Sequence, residues 1–341
     1  MKQISTSKFN THLINVNQAR RFSVAPMIDW TDKHCRYFHR LLTTQSILFT
    51  EMVTTGAIEF GDREKILGYN QQEHPLVLQL GGSDPYALAQ SSIIAENLGY
   101  SEINLNVGCP SDRVQSGKFG ACLMAEPKLV AQCIKAMQDA VTIPVTVKCR
   151  IGIDDQDSEV DLTNFVEHMV DAGLSSIVIH ARKAWLKGLS PKQNRDVPPL
   201  EYDRVYRIKQ KFSNLEVIIN GGIKNLDQAL IHLNNVDGVM LGRAAYQTPW
   251  ILSEVDEKIF NCKKNESTRH QIANMMMDYI ENYLTDDKTG RARAHHITRH
   301  MIFLFQGLEG ARKYRQVLSV EANKLGAGAE VLQKALTFVA K

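Results

Sequence analysis

Eight short runs of β-branched and apolar residues, each followed by room for a helix, constrain this chain more than any other feature. They occupy residues 22–28, 47–53, 76–82, 102–109, 145–152, 176–182, 216–222 and 238–244. Helix-like stretches fall at 85–98, 127–140, 162–172, 202–211 and 226–233. Parallel strands need a crossover of a dozen or more residues, usually a helix, so this alternation implies a parallel sheet covered by helices. Eight such units in about 250 residues is the size of a closed barrel, whereas a doubly wound sheet usually stops at about five to seven strands. The expected fold is α/β, a (β/α)8 TIM barrel.

Beyond about residue 256 the strand pattern ends. Residues 271–284, 292–305 and 330–339 place apolar side chains at three- and four-residue spacings, which predicts a small all-α helical bundle. The chain's 341 residues suffice for a barrel at 1–256 and a helical second domain at 257–341 with its own core. Charge divides at the same point. Residues 258–341 carry 14 Lys and Arg against 8 Asp and Glu, a net of +6 in a chain whose total is +3, so the preceding part is acidic. That asymmetry suggests a polyanionic partner for the tail; a solvated helical face is the plainer alternative. No apolar run approaches the roughly 20 residues of a membrane span, and the opening residues lack a secretory pattern, so no membrane association and a cytoplasmic location are expected. The six cysteines include no Cys-x-x-Cys pair, so reduced thiols and no metal site are expected.

In such a barrel the reactive face is the carboxyl end of the strands. Those positions hold Ala25-Pro26-Met27, Gln79, Asn106 and Cys109, Lys148 and Arg150, His180 and Arg182, Asn220-Gly221-Gly222, and Gly242-Arg243. Singly, Gln79 or His180 reads as a satisfied core group, and the glycine pairs read as turns. The last two strand ends, however, are where barrels commonly bind phosphate through backbone N–H groups, with Arg243 available as a clamp. An outward Lys148 would meet an apolar helix layer, so it is expected to face the mouth. Cys109, between Gly108 and Pro110, is a presented thiol able to act as acid or nucleophile; the alternative is a buried structural cysteine. A phosphate site, a cation, the Gln79 amide and an apolar platform at Ala25-Pro26-Met27 match the needs of flavin mononucleotide (FMN). No Gly-x-Gly-x-x-Gly follows the first strand, so a nicotinamide is expected to visit the flavin directly.

These residues together resemble the tRNA-dihydrouridine synthases. The resemblance rests on Ala25-Pro26-Met27, the Asn106-Val107-Gly108-Cys109-Pro110 loop with Val114 and Gly120-Ala121 behind it, His180-Ala181-Arg182, Asn220-Gly221-Gly222 and Gly242-Arg243, and it extends into the tail. Residues 180–195 and His296-Ile297-Thr298-Arg299-His300 look like the bacterial A-type members. The resemblance implies reduction of the uracil 5,6 double bond in the D-loop of tRNA, at positions 20 and 20a. NADPH would reduce FMN and Cys109 would act as proton donor. It also implies FMN contacts from Gln79, Lys148, His180, Asn220, Gly221, Gly222, Gly242 and Arg243; His180 is open between flavin phosphate and uracil edge. Asn106 would touch the base or ribose. A stacked uridine must be flipped out to reach a barrel mouth, at a cost of a few kcal/mol. Basic surface must offset that cost. The candidates for tRNA contact are Arg182, Lys187, Lys192 and Arg195 near the mouth and Arg291, Arg293 and Arg299 in the tail, with Arg312, Lys313 and Arg315 beyond. No obligate protein partner is indicated. Two other readings stay open at this point: a small-molecule FMN oxidoreductase of dihydroorotate-dehydrogenase type, and a nonenzymatic RNA-binding barrel.

Overall fold

The computed structural model describes residues 16–340, the Arg113 side chain excepted. The opening segment read above for targeting lies outside the described residues. The eight runs form eight parallel strands: β1 Phe22–Val24, β2 Ile47–Thr54, β3 Leu76–Gly81, β4 Glu102–Val107, β5 Val145–Arg150, β6 Ser176–His180, β7 Glu216–Asn220 and β8 Gly238–Leu241. They close in chain order, β1 pairing with both β2 and β8, so the barrel has no free edge.

Period-two alternation sorts each strand between two environments. On β5, Val145, Val147 and Cys149 join the cluster under the outer helices, leaving Thr146 and Lys148 on the barrel side. Part of the interior is apolar, with Ile47, Phe49, Val77, Val178, Ile218 and Met240 in one cluster. The rest is polar and buried, with Gln79, Glu102, Asn104 and Thr146 contributed by β3, β4 and β5. Register brings the polar strand ends to a common level: Asn106 lies beside Lys148, Arg150 beside His180, and His180 beside Asn220.

The five expected crossover helices are present as Pro85–Asn97, Pro127–Ala140, Glu159–Asp171, Tyr202–Lys211 and Leu226–His232. A further helix, Lys33–Leu42 after β1, lies outside the helical stretches expected above. Its buried face mixes His34, Arg36, His39 and Arg40 with Cys35, Phe38, Leu41 and Leu42, so buried charge interrupts the apolar stripe. Its start is marked by Asp32, whose carboxylate accepts from His34 N (3.0 Å) and Cys35 N (2.9 Å).

The tail is helical at Arg269–Asp286, His295–Thr298, Ala311–Val320 and Glu330–Leu336. One expectation is corrected here. The helix expected over 292–305 is only the short His295–Thr298 segment followed by turns. His300 N, Met301 N and Leu304 N bond three residues back rather than four, which lets Ile297, Met301 and Leu304 stay in the core while Arg299 and His300 turn to Asp32. The tail's buried residues Ile272, Met276, Ile280, Leu304, Phe305 and Tyr314 join the same apolar cluster as Phe38, Leu42 and the outer barrel. A polar seam accompanies it. His34 Nδ1 and Tyr279 Oη are 2.9 Å apart, Tyr37 stacks on Tyr279 at 4.1 Å, and Asp256 accepts from Thr43 Oγ1 at 2.5 Å. Among the described residues no helix is long and apolar enough to cross a membrane.

Candidate active site

At the end of β4 the Asn106 side chain turns the chain outward. Its Oδ1 accepts from Gly108 N (3.1 Å) and Cys109 N (3.0 Å), an Asx-type turn that aims the next residues at the mouth. The Cys109 carbonyl accepts from Ala121 N at 2.9 Å, which ties the far end of the loop back to the thiol. Gly120 sits at φ +74°, where a side chain is strained, and a Cβ there would collide with Val114 and the Cys109 carbonyl. The small Gly120-Ala121 pair is thus a packing requirement. Cys109 is partly exposed, and its Sγ donates to Ser111 Oγ at 3.6 Å.

Two side chains brace this loop against the segment after β6. Arg150 donates from Nε to Gly108 O (2.8 Å) and from Nη1 to Lys183 O (3.0 Å) and Asn194 O (3.1 Å). Gln115 Nε2 reaches both Pro110 O and Leu186 O at 2.8 Å. Lys187, Lys192 and Arg195 are exposed on that braced segment. The motif pattern gives neither brace a role in the site, although Arg150 lies two positions beyond Lys148, on the same strand face.

Cations crowd the mouth. Burial, and then the neighbouring Arg150, push the Lys148 ammonium down to about 8. Burial lowers Arg150 to about 10. His180 is pushed well below the ordinary imidazole range by burial and by Arg150, Lys148, Arg182 and Arg243, so its ring is neutral at pH 7. Arg243 opens the short helix Arg243–Gln247, pairs with Asp196 Oδ1 at 2.8 Å and donates to Arg195 O at 3.3 Å. Arg182 Nη1 donates to Pro198 O, while its buried Nε has no hydrogen-bond partner among the described residues.

The glycines shape the same face. Gly221 (φ +115°) and Gly222 (φ +71°) adopt backbone conformations that L side chains avoid, and a Cβ on Gly221 would strike the His180 ring. Tyr202 Oη donates to Gly221 O at 2.8 Å, and Asn220 Nδ2 to Met240 O at 2.8 Å. A Cβ on Gly242 would stand 3.7 Å from both Ala25 Cβ and Met27 Sδ, so the residues just after β1 and β8 present one small apolar wall. Strand-end glycines, converging cations and a paired carboxylate, Asp196, suit a bound phosphate. Gln79 is more enclosed than the sequence suggested. Its Nε2 donates to Asn104 Oδ1 and its Oε1 accepts from Asn106 Nδ2, both at 2.8 Å.

The tail arginines divide into two kinds. Arg291 is exposed, and Arg293 donates to Gly290 O (2.8 Å) and Ala292 O (2.7 Å), leaving its charge without a carboxylate partner among the described residues. Arg299 is already engaged: its Nη2 meets Asp32 Oδ2 at 2.6 Å. Arg312 and Lys313 are exposed, and Arg315 Nη1 donates to Gln306 Oε1 at 2.8 Å.

Comparison with known proteins covers nearly the whole chain. The family described as dihydrouridine synthase (Dus) matches residues 23–340. Relatives named tRNA-dihydrouridine(20/20a) synthase include one from Vibrio parahaemolyticus, 56% identical over 322 residues, covering 94% of this chain and 97% of the relative. One from Escherichia coli (strain K12) is 54% identical over 341 residues, covering 100% of this chain and 97% of the relative. Another, from Yersinia pestis, is 57% identical over 321 residues, covering 94% of this chain and 92% of the relative. Matched through barrel and tail alike, the chain belongs to the dihydrouridine synthase family.

Proposed function

We propose that this chain reduces uridine to 5,6-dihydrouridine in the D-loop of tRNA, at positions 20 and 20a, with FMN as cofactor and NADPH as reductant. The observation that carries the reading is Cys109, a thiol held at the barrel mouth by Asn106 and Arg150 and within the field of the partly buried Lys148. The names of the relatives supply the substrate.

FMN would be held by Ala25, Pro26 and Met27 as the apolar floor, by Gln79 and Lys148 at the ring, and by Asn220, Gly221, Gly222, Gly242 and Arg243 around the phosphate, with His180 between. Bound there, FMN supplies the hydride that the reduction consumes. Lys148 places positive charge where a reduced ring carries negative charge. Hydride addition to one carbon of the uracil leaves the other electron-rich, and Cys109 Sγ–H delivers a proton to it. Neutral His180 keeps a hydrogen-bonding ring beside Gly221 without adding a further charge. Asn106, which anchors the cysteine loop, would touch the base or ribose of a flipped uridine.

The tRNA backbone would be gripped by Lys187, Lys192, Arg195 and Arg182 at the mouth and by Arg291 and Arg293 in the tail, with 1–256 as the catalytic unit and 257–341 as the RNA-binding unit. Such an enzyme works in the cytoplasm, where its substrate is. Incubating purified protein with NADPH and tRNA lacking dihydrouridine tests the reading. Dihydrouridine at positions 20 and 20a, and FMN released on denaturation, are expected. Unmodified tRNA from a flavin-reconstituted enzyme, or FAD in place of FMN, would overturn it.

A further inference from the structure

One row of buried polar side chains crosses the barrel interior and ends on the cysteine loop. Arg20, at the amino-terminal end of the barrel, donates from Nε to Glu102 Oε2 (2.8 Å) and from Nη1 to Glu216 Oε2 (2.8 Å). Thr146 Oγ1 donates to Glu102 Oε1 (2.6 Å) and accepts from Asn104 Nδ2 (2.9 Å). Asn104 Oδ1 then accepts from Gln79 Nε2, and Gln79 Oε1 from Asn106 Nδ2, both at 2.8 Å. Asn106 Oδ1 is left for the N–H groups of Gly108 and Cys109. Glu102, Thr146, Asn104 and Gln79 are each at most 2% exposed, so no bulk water substitutes for a missing partner.

The row has a direction. A primary amide offers donors at one end and acceptors at the other. A carboxylate facing Arg20 only accepts, so the single Thr146 hydroxyl proton goes to Glu102 and the Thr146 oxygen must accept. Asn104 is thereby oriented with its NH2 toward Thr146, Gln79 with its NH2 toward Asn104, and Asn106 with its NH2 toward Gln79. Reversing any one amide sets donor against donor on one side of it and acceptor against acceptor on the other.

We infer that Thr146 and Asn104 are positioning residues, which transmit the Arg20–Glu102 charge polarity to Gln79 and Asn106 and so hold the Cys109 loop in its presented conformation. Neither need touch substrate. The effect on thiol presentation follows from the row alone; the effect on tRNA turnover rests on the dihydrouridine-forming reading.

Thr146→Val keeps the shape and removes the hydroxyl, while Thr146→Ser keeps the hydroxyl. Ile218→Val, an interior position outside the row, serves as a stability control. Alkylation of Cys109 by iodoacetamide, followed at that residue by mass spectrometry with exposed Cys262 as internal standard, reads the loop without flavin turnover or tRNA. Thr146→Val is expected to speed Cys109 alkylation at least about threefold and to lower kcat on tRNA about tenfold with little change in flavin reduction by NADPH, because a less firmly positioned acid is felt in the chemical step. Thr146→Ser is expected to restore both. Equal Cys109 alkylation in Thr146→Val, Thr146→Ser and Ile218→Val would overturn the inference whatever the tRNA assay shows. Altered alkylation with no dihydrouridine from any variant or the wild type would instead count against the proposed reaction. Should Thr146→Val fail to fold, Thr146→Cys, with a weaker donor and acceptor of similar size, is expected to alkylate at a rate above that of Thr146→Ser and the wild type; wild-type behaviour there would overturn the inference equally.

Discussion

Cys109 is made available by neighbours that satisfy everything around it and leave its thiol at the mouth. Its N–H goes to Asn106, its carbonyl to Ala121, and the preceding carbonyl to Arg150. Cys109→Ala should therefore leave the loop folded and remove only the acid. NADPH should still reduce the flavin, while turnover on tRNA falls by about 10²- to 10⁴-fold, the range for a positioned acid; near-normal dihydrouridine formation would exclude Cys109 as the required donor. Gly221 is constrained twice, by φ +115° and by the His180 ring. Gly221→Ala should cost about 1–3 kcal/mol in urea unfolding and weaken flavin retention. Wild-type stability together with full flavin occupancy would refute that geometry.

At the scale of an element, helix Lys33–Leu42 links the loop after β1 to the tail. Burial pushes both His34 and His39 down to about 3, partly opposed at His34 by Asp32. Unfolded imidazoles titrate near 6.5, so between about pH 6.5 and 3 the unfolded chain binds protons that the folded helix refuses. Stability from these residues is complete above that window and is lost as pH falls, at about 1.4 kcal/mol per pH unit for each histidine. The urea midpoint should drop from pH 7 to pH 5, and the double variant His34→Gln, His39→Gln should flatten the drop. An equally steep profile in the double variant would assign the acid sensitivity elsewhere. Asp32, capping this helix, is held well below the usual carboxylate range; burial alone would raise it, but His300 and the Cys35 N–H outweigh burial.

For the whole molecule, the shared apolar cluster changes what truncation means. Removing residues from Lys258 onward would strip Phe38, Leu42 and their neighbours of Ile272, Met276 and Phe305, and the barrel should aggregate rather than persist as a flavin-binding unit. Recovery of a soluble, flavin-loaded 1–257 fragment would contradict this. Charge reversal separates RNA binding from folding more cleanly. Reversing Arg291 and Arg293 should leave unfolding unchanged, weaken tRNA binding and reduce the salt slope by about one for each phosphate that is no longer neutralised. Arg299→Glu should instead destabilise the protein, because it sets a carboxylate against Asp32. Unchanged affinity and slope in the Arg291 and Arg293 variants would move the RNA surface to Lys187, Lys192 and Arg195.

The eight strands, five of the crossover helices and the polar strand ends were legible in the chain because each depends on a period of two or 3.6 residues, or on a glycine or cysteine at a turn, all of them local signals. Lys148 is an example: alternation with Val147 and Cys149, together with the apolar helix layer an outward residue would meet in a barrel, turned it toward the interior. Helix Lys33–Leu42, the turns after Thr298 and the docking of the tail were not legible. Each depends on a buried polar group whose partner is far along the chain: Arg36 on Glu73, His34 on Tyr279, His300 on Asp32. Period and composition register whether a residue is polar, while burial is tolerated or forbidden according to whether a partner is there to meet it. The same limit hid the roles of Arg150, Thr146 and Asn104. Closure of the barrel and packing of the tail bring those partners together, so the tertiary structure alone decided which polar residues could lie inside.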